Sequence, residues 1–589
     1  MLLQVSRIHP LLIRSQKRLN KLLYVNSTSY SSYTICKRYL SEVGSQHTID
    51  RESIIPVFLA SEIYGKKHAL VDRYGPFTYS HLKYYSTRLK HDILTIKNDS
   101  SQKTANLNGQ KVAFLCENDI SYLVSLFGIW RAGGVAVPLS KSHPQSELQY
   151  FIEDSQSSLV LSSDNYQNVL QPIAEKLNIP NKIVKENDFV GENFDVATIE
   201  AFQSTPDDLA YEDKVKKNEY KDEPAMIVYT SGTTGKPKTC LKIVDIFYII
   251  SAQGVLMTHG NLYSMMADMI EAWKWTPDDV ILHVLPLHHV HGIVNALLTP
   301  LLCGATCIIL PSFEPSKVWE CLINGYKTQN GGKFDINLFM AVPTIYAKLI
   351  KYYECNLGRD DWYEAKDVKK ACSDRIRLMV SGSAALPQPI LEKWQDITGH
   401  TLLERYGMTE TGMVLTNPLE GERIPGMEEE QGELMVKSPS VFKEYWNRPE
   451  ATREAFTADG WFKTGDTAIF SNGVYKIVGR TSVDIIKSGG YKISALDIER
   501  HLLAHPDIAD CAVVGLPDET WGERVASVIV FTEGKQMTLE ELRTWAKNVM
   551  PPYQMPSIMK SLDVMPRNAM GKVNKKEIIK TVFAEFLDR

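Results

Sequence analysis

A run of small, hydroxyl-bearing and basic residues lies at positions 229–238, in the order Tyr-Thr-Ser-Gly-Thr-Thr-Gly-Lys-Pro-Lys. Glycines free backbone N–H groups to wrap phosphate oxygens, and the hydroxyls and the two lysines add donors and positive charge. The spacing is not that of a Walker A loop, because the Gly-Lys pair follows the first glycine too closely and no Ser or Thr follows the lysine. The run therefore predicts a phosphate-binding loop of another kind. The alternative is an ordinary mobile surface turn.

Three further strings contain residues suited to a nucleotide, and they read Arg-Tyr-Gly-Met-Thr-Glu (405–410), Trp-Phe-Lys-Thr-Gly-Asp (461–466) and Pro-Arg-Asn-Ala-Met-Gly-Lys (566–572). The hard carboxylate oxygens of Glu410 suit Mg²⁺. The two oxygens of Asp466 can accept bonds from both hydroxyls of a ribose. Taken singly, each string could be a turn. Together with the phosphate loop, and in this order, they resemble the acyl-adenylate-forming superfamily, in its acyl-CoA synthetase branch, from about residue 50 to the end of the chain.

The resemblance implies an enzyme that uses ATP and Mg²⁺ to join a carboxylic acid to coenzyme A through an acyl-adenylate. Tyr406 would stack on adenine, Thr409 and Glu410 would hold phosphate and Mg²⁺, and Asp466 with Arg480 would bind the ribose. The expected nucleotide-binding residues are Thr230, Ser231, Gly232, Thr233, Thr234, Gly235, Lys236, Tyr406, Gly407, Thr409, Asp466 and Arg480.

The expected catalytic residues are Lys572, Glu410 and Thr230. By the resemblance, the ammonium of Lys572 bridges the attacking carboxylate and the α-phosphate, where it would stabilise charge as pyrophosphate leaves. The resemblance also implies that a small C-terminal domain rotates after adenylation, with Asp484 as the hinge. Gly489 and Gly490 would then approach the pantetheine arm of coenzyme A, since glycine has no Cβ to obstruct it.

The residue before the Tyr-Gly-x-Thr-Glu string lies, by the resemblance, on the wall of the acyl pocket, and here it is Arg405. A guanidinium in a partly dry pocket requires an anionic partner, since leaving it unpaired costs on the order of 3 to 5 kcal/mol. We therefore expect a small dicarboxylate, malonate or methylmalonate, whose second carboxylate pairs with Arg405 while Lys348 and Ser383 complete the clamp. This combination resembles the malonate-activating members of the superfamily. In the alternative, Arg405 pairs with Glu404 or Glu410 and faces away from the pocket.

The expected products are malonyl-CoA, AMP and pyrophosphate. Other functions remain open at this point: a medium-chain fatty acyl-CoA synthetase, a luciferase-like oxidation, an adenylation domain that serves a carrier protein, or a catalytically inactive nucleotide-binding protein. Carboxylate-dependent release of pyrophosphate, followed by formation of a coenzyme A thioester, separates the first expectation from the inactive binder.

Three histidines stand close together at His288, His289 and His291. Adjacent histidines point in different directions and no second cluster completes a coordination shell, so we do not predict a metal site. By the resemblance, His289 lies at the entrance of the acyl pocket as an aromatic gate.

The elements that must position these residues alternate between apolar runs and amphipathic stretches, such as the run at 111–116, the stretch at 122–131, the run at 134–138 and the stretch at 145–154. This βαβα rhythm predicts an α/β fold of mixed or parallel sheets flanked by helices. From about residue 483 the pattern restarts with shorter elements. We predict a transit peptide over 1–45, a large AMP-binding domain over 46–480, and a small mobile α+β domain over 481–589.

The bulk composition excludes several classes of partner. A net charge of −5 over 589 residues provides no basic surface for nucleic acid, and no apolar run is long enough to span a bilayer. The nine cysteines form no CxxC pairs, which fits a reducing compartment. The first 41 residues carry seven Lys or Arg and no Asp or Glu, which is typical of a transit peptide and predicts the mitochondrial matrix; a disordered basic tail is the alternative.

The chain departs from the superfamily pattern at two places. Residues 239–253 intervene where Lys238 would lead directly into Gly254, and we interpret them as a retained intron or an error in the gene sequence that could disorder the phosphate loop. Residues 427–430 alone bridge a gap where a few dozen residues are expected. We expect the second departure to remove an edge strand and leave backbone groups unpaired.

Overall fold

The computed structural model describes residues 54–97, 106–189, 217–230, 252–329, 331–357, 365–420, 430–471, 474–488, 491–567 and 573–586, the single positions 211, 214 and 215, and four strand segments at 2–4, 22–26, 240–243 and 246–249. Within these residues no helix is both long and apolar enough to cross a membrane.

The described strands are short, as in most α/β proteins. They are β1 Leu2–Gln4, β2 Leu22–Asn26, β3 His68–Asp72, β4 Gly75–Thr78, β5 Lys111–Leu115, β6 Val135–Pro138, β7 Ser157–Ser163, β8 Asn181–Val184, β9 Pro224–Thr230, β10 Cys240–Ile243, β11 Ile246–Ile249, β12 Gln253–Thr258, β13 Val280–His283, β14 Thr306–Ile309, β15 Tyr326–Lys327, β16 Lys333–Phe334, β17 Leu338–Ala341, β18 Leu378–Ser381, β19 Leu403–Met408, β20 Gly412–Thr416, β21 Glu430–Lys437, β22 Glu444–Tyr445, β23 Phe462–Ser471, β24 Val474–Arg480, β25 Ile485–Ser488, β26 Tyr491–Ser494, β27 Ile508–Asp518, β28 Gly522–Phe531 and β29 Ile558–Ser561.

The described α-helices connect these strands and cover the sheets. They are α1 Ala60–Ile63, α2 Tyr79–Lys97, α3 Ile120–Arg131, α4 Gln145–Asp154, α5 Gln167–Leu177, α6 His259–Ala272, α7 Thr299–Leu302, α8 Pro315–Asn324, α9 Pro343–Tyr352, α10 Ala365–Arg375, α11 Gln388–Thr398, α12 Pro449–Ala455, α13 Ala495–Leu502, α14 Leu539–Ala546 and α15 Lys575–Val582. Two π-helical segments, His291–Leu298 and Tyr353–Leu357, occur as well.

Two large sheets form the centre of the molecule. One has the strand order β22-β12-β9-β6-β5-β7-β8 and the other the order β20-β19-β18-β17-β13-β14-β3-β4. Their central strands pair in parallel, as β13 does with β14 and β17 with β18. Helices cover both faces of such sheets, so these strands read as unbroken apolar runs, and every residue of β17 is buried. The predicted α/β fold with mixed sheets is confirmed.

A five-stranded sheet of order β1-β24-β23-β21-β2 packs beside them. We expected the shortened segment at 427–430 to leave an edge of this region unpaired. Instead β2 pairs in parallel with β21, from Leu22↔Glu433 to Asn26↔Lys437, and β1 pairs with β24. Both added strands come from the predicted leader, so that part of the chain supplies the missing partners.

The insertion at 239–253 lies between β9 and β12, two strands that pair with each other. Its described residues make an antiparallel hairpin of β10 and β11 that joins no other described strand. On either side, β9 and β12 pair directly from Gln253↔Thr230 onward. The insertion therefore does not interrupt the pairing of β9 with β12, and the register of this pair is regular up to Met257.

The C-terminal residues form a separate unit around β25, β26, β27, β28 and β29. Helices α13 and α14 bury their apolar faces on one side of this sheet, where Ile498 and Leu542 are fully buried. Helix α15 packs on the other side through Ile578. This two-sided small unit is the α+β arrangement predicted for the end of the chain.

Candidate active site

The candidate acyl pocket lies where three parallel strands of the eight-stranded sheet end. The carboxyl ends of β17 and β18 lead into Pro343 and Gly382, and Arg405 and Tyr406 lie within β19 beside them. Parallel strands bring their carboxyl ends to one edge of a sheet, and α/β proteins bind their ligands there. The residues predicted for the acid and for the nucleotide therefore converge at this edge.

Arg405 is buried within this edge, with 2% of its surface exposed. Its Nη1 contacts the Met413 sulfur at 2.8 Å, a weak acceptor. Its Nε and Nη2 are buried and have no hydrogen-bond partner among the described residues. Burial lowers the pKa of Arg405 to about 9 against a small opposing effect of Tyr346. The guanidinium is thus held in the protein interior with two donors free for an anion.

The alternative in which Arg405 is satisfied by a neighbouring acid does not hold for the described residues. Glu410 Oε1 instead accepts a hydrogen bond from the Tyr445 hydroxyl at 3.0 Å, and no ion pair joins Arg405 to a described carboxylate. Gly382 explains how the guanidinium fits. A Cβ there would lie 2.9 Å from three atoms of the Arg405 side chain, so only glycine leaves the required room.

Ser383 follows Gly382 in a left-handed conformation with φ of 69°. Its hydroxyl lies 2.9 Å from Nδ1 of His291, which places the first residue of the π-helical segment at the same edge. Lys348 is exposed on α9 and its ammonium lies 6.0 Å from the centroid of the Phe313 ring. The structure therefore brings Ser383 to this edge but does not show Lys348 in a clamp with Arg405.

The predicted ribose-binding residues form one connected group on facing strands. Asp466 on β23 lies opposite Arg480 on β24. Arg480 Nε is 2.9 Å from Asp466 Oδ1, and the Tyr406 hydroxyl donates to Asp466 Oδ2. Burial pulls the pKa of Arg480 down, but Asp466, Tyr406, Glu410 and Asp484 together outweigh burial and raise that pKa. A carboxylate offers about four lone-pair positions, more than the contacts with Arg480 and Tyr406 occupy.

Glu410 lies between this group and the end of β19, and 3% of its surface is exposed. Burial raises the pKa of its carboxyl, against the lowering effect of the Tyr445 hydrogen bond. A raised pKa indicates a carboxylate that lacks enough positive neighbours. The contact with Tyr445 could not be predicted from the sequence, because the two residues lie 35 positions apart.

The phosphate loop begins at the carboxyl end of β9. Thr230 is the last residue of that strand, and its hydroxyl lies 3.5 Å from the Gln253 carbonyl oxygen. The rest of the loop, residues 231–239, lies outside the described residues, and so do Gly489, Gly490 and Lys572. Gly407 and Thr409 are described and partly buried on and just after β19.

Two histidines of this cluster contact each other, and one of them contacts His143, through their rings. The rings of His288 and His289 have centroids 3.9 Å apart, and His143 stands edge-on to His288 at 5.3 Å. Burial lowers the pKa of His288 to about 2, so its imidazole is neutral. Among the described residues no group of three or more His, Cys, Asp or Glu could hold a metal ion. His289 is half-buried beside the acyl edge.

Three aromatic side chains of the small domain are exposed, and sequence reasoning missed them. Tyr491 directly follows Gly490 and stacks on Tyr553 with centroids 4.5 Å apart. Trp521 precedes Gly522, which pairs with Ser488 on the strand before the glycines. Tyr491 and Trp521 are 55% and 57% exposed. Exposed aromatic patches mark surfaces that bind something.

Comparison with known proteins gives two family matches. Residues 60–427 match the family described as AMP-binding enzyme, and residues 497–572 match the AMP-binding enzyme C-terminal domain. A Xenopus laevis protein named malonate–CoA ligase ACSF3, mitochondrial, is 47% identical over 570 residues, covering 89% of this chain and 92% of that protein. The Arabidopsis thaliana protein named malonate–CoA ligase is 40% identical, covering 86% of this chain and 84% of that protein.

Solved structures agree in fold. ATP-bound MatB from Rhodopseudomonas palustris has a TM-score of 0.71 at 28% identity, covering 90% of this chain and 98% of that one. A malonyl-CoA ligase in a ternary product complex with methylmalonyl-CoA and AMP has a TM-score of 0.54 at 29% identity, covering 85% of this chain and 97% of that one.

Proposed function

Since this chain belongs to the AMP-binding enzyme family, we propose that it is an ATP-dependent ligase that activates malonate as malonyl-adenylate and transfers the malonyl group to coenzyme A. A carboxylate oxygen of malonate attacks the α-phosphorus of ATP, and pyrophosphate leaves. The coenzyme A thiol then loses its proton, its sulfur attacks the acyl carbon, and AMP leaves with the bonding pair. Methylmalonate is the second acid that this site would accept.

The single observation that supports malonate is the buried, unpaired guanidinium of Arg405. Holding an arginine in this state costs several kcal/mol, on the order of 3 to 5, unless an anion pairs with it. Malonate supplies that anion, because one carboxylate reacts while the other remains available. A fatty acid would place an apolar chain against the charge. Ser383, beside Gly382, can donate a further hydrogen bond to the same carboxylate.

The nucleotide would lie along β19, β23 and β24. Tyr406 would cover the adenine, and Asp466 would accept both ribose hydroxyls while Arg480 holds it in place. Thr230 and Thr409 would donate hydroxyl bonds to phosphate oxygens at the ends of β9 and β19. Residues 231–236 and Lys572 complete this set in the proposal, with Lys572 between the attacking carboxylate and the α-phosphate.

Glu410 fits a role as ligand of Mg²⁺. Its carboxyl is buried with a raised pKa and keeps one oxygen, Oε2, beyond the bond from Tyr445. Mg²⁺ needs only one or two carboxylates when phosphate oxygens and waters complete its shell. When bound, Mg²⁺ would neutralise charge on the phosphates.

The exposed aromatic patch supports the use of coenzyme A. Tyr491, which follows Gly490 in the sequence, stacks on Tyr553, and the exposed ring of Trp521 would offer a face to the purine of coenzyme A. Glycine at both positions would leave room for the pantetheine arm. The patch and the glycines would reach the acyl-adenylate only after the small domain rotates about Asp484.

The proposed location is the mitochondrial matrix. The first 41 residues are basic without acidic residues, and the similar proteins from four vertebrates carry the word mitochondrial in their names. The membrane potential draws such basic segments inward.

The proposal is tested by measuring pyrophosphate release and thioester formation with malonate, methylmalonate, acetate and octanoate. Malonate should be preferred, with acetate and octanoate poorer by roughly 10⁴-fold because they leave the guanidinium unpaired. Arg405→Met should abolish the preference, while the exposed Arg453→Met on α12 should behave as wild type.

The fold of Arg405→Met provides an internal control. Replacing an unpaired buried charge by an apolar side chain is neutral or stabilising, so the melting temperature should not fall. Selective turnover of octanoate would contradict the malonate assignment. ATP binding without pyrophosphate release from any of the four acids would favour an inactive nucleotide-binding protein.

A further inference from the structure

Three largely buried charges meet in the small domain, outside the nucleotide and acyl pockets. Lys575 Nζ lies 2.5 Å from Asp484 Oδ1 and 2.7 Å from Glu499 Oε1. The three side chains are only 9%, 12% and 15% exposed. Burial pulls the pKa of Lys575 down, but Glu499 and Asp484 outweigh it and raise that pKa. Both contacts are therefore charge-assisted hydrogen bonds, the stronger kind.

The carboxylate of Asp484 spans the boundary between the domains. Its Oδ1 receives the ammonium of Lys575, and its Oδ2 accepts the backbone N–H of Arg480 at 2.9 Å. Arg480 is the last residue of β24 and holds Asp466 through its own side chain. One carboxylate thus connects Lys575 to the strand that carries the proposed ribose-binding pair.

Lys575 also stands beside the segment that ends in Lys572. It is the first residue of α15, three positions after Lys572 in the sequence. On the other side of that segment, Arg567 forms a β-bridge with Val573, and its Nη2 lies 2.5 Å from Asp510 Oδ2. Contacts therefore hold described residues on both sides of Lys572, and of these residues Lys575 contacts the hinge residue Asp484.

Glu499 gives Lys575 a partner that does not depend on the domain arrangement. It lies on α13 and accepts the backbone N–H of Val513 at 2.8 Å, so all of these residues belong to the small domain. A rotation about Asp484 would leave the Lys575–Glu499 pair intact. Separating a buried ion pair is expensive when a charge is left alone, and here the ammonium keeps one anion, so the contact with Asp484 can open and close.

We propose that Lys575 is a positioning residue that latches the small domain to the hinge in the arrangement where Lys572 serves adenylation, and that this latch opens for the thiol step. The inference rests on the proposed function. One observation supports this arrangement of the small domain. Tyr491, beside the proposed coenzyme A glycines, is turned to solvent.

The test separates the two half-reactions. Adenylation is followed as malonate-dependent exchange of pyrophosphate into ATP, and the thiol step as thioester formation from synthetic malonyl-adenylate and coenzyme A. Lys575→Met should slow exchange by at least about tenfold, because the rate follows the fraction of molecules in the competent arrangement, and should leave the thiol step within about twofold. Asp484→Asn, which keeps the Lys575–Glu499 pair, should slow exchange as Lys575→Met does. The exposed neighbour Lys576→Met is the matched control and should match wild type in both steps.

A loss of both half-reactions in equal proportion, or of neither, would overturn the latch. If the wild-type chain exchanges pyrophosphate into ATP without any carboxylate, the proposed function is refuted instead. The latch is then tested separately, by measuring hydrogen exchange of the peptide 478–488 in the full chain. The amides of Arg480 and Asp484 should exchange at least about tenfold faster in Lys575→Met than in wild type and Lys576→Met. Equal exchange in all three proteins would overturn the latch regardless of activity.

Discussion

Gly382→Ala is the substitution that most cleanly perturbs the acyl pocket without touching a charged group. The added Cβ would lie 2.9 Å from Cγ, Cζ and Nε of Arg405, against about 3.5–4.0 Å for an unstrained carbon contact. The guanidinium must therefore move by about 0.5–1 Å. Nη1 of Arg405 already contacts Met413 at 2.8 Å, so the shift disturbs the geometry proposed for the second carboxylate.

The expected effect is a loss of about 10- to 100-fold in kcat/KM for malonate, since a displacement near 1 Å of a positioning group costs about 10²-fold. The assay is steady-state pyrophosphate release with malonate or acetate varied at saturating ATP. Acetate does not use Arg405, so its already low rate and the KM for ATP should stay unchanged. An unchanged kcat/KM for malonate, or an equal loss with both acids, would refute the placement of the substrate against Arg405.

Three further predictions follow from other parts of the structure. Deleting residues 239–253 should leave the melting temperature and malonate turnover at least as high as in the full chain, because β9 and β12 already pair with each other. If the melting temperature and turnover both fall, the insertion belongs to the fold. Tyr445→Phe removes the donor to Glu410, so the pKa of that carboxyl should rise further and the acid limb of the pH–kcat/KM profile should move to higher pH, with wild type as reference. Burial lowers the pKa of His259 from 6.5 to about 3, so its contribution to stability is present above pH 6.5 and lost as pH falls toward 3, by at most about 1.4 kcal/mol per pH unit. Thermal unfolding of His259→Phe should therefore depend less on pH between 6 and 4, and equal slopes would contradict this.

The sequence predicted the regular elements well where local patterns decide them. The apolar run at 111–116 became β5, and the amphipathic stretch at 145–154 became α4 with the same bounds. Parallel strands and covering helices impose these patterns on every central element. The resemblance implied that Tyr406, Asp466 and Arg480 act on one nucleotide, and the structure joins these three side chains through the contacts of Asp466 with Tyr406 and Arg480.

Contacts between residues far apart in sequence could not be predicted. The Tyr445–Glu410 bond, the fit of Gly382 against Arg405 and the triad of Lys575 depend on how separate elements pack. The pairing of β2 with β21 was missed for a further reason. Composition identifies the leader as a targeting segment, and nothing in that composition indicates an edge strand. If the leader is removed, this strand leaves with it.

The central claim is that a buried arginine selects a dicarboxylate. It is tested most directly by giving the enzyme ATP, coenzyme A and an equimolar mixture of malonate, acetate and octanoate, and measuring the three thioesters by mass spectrometry. The wild-type chain should form malonyl-CoA in excess by roughly 10⁴-fold, and Arg405→Met should lose that excess while remaining folded. Octanoyl-CoA as the main product of the wild type, or an unchanged excess of malonyl-CoA in Arg405→Met, would contradict the account.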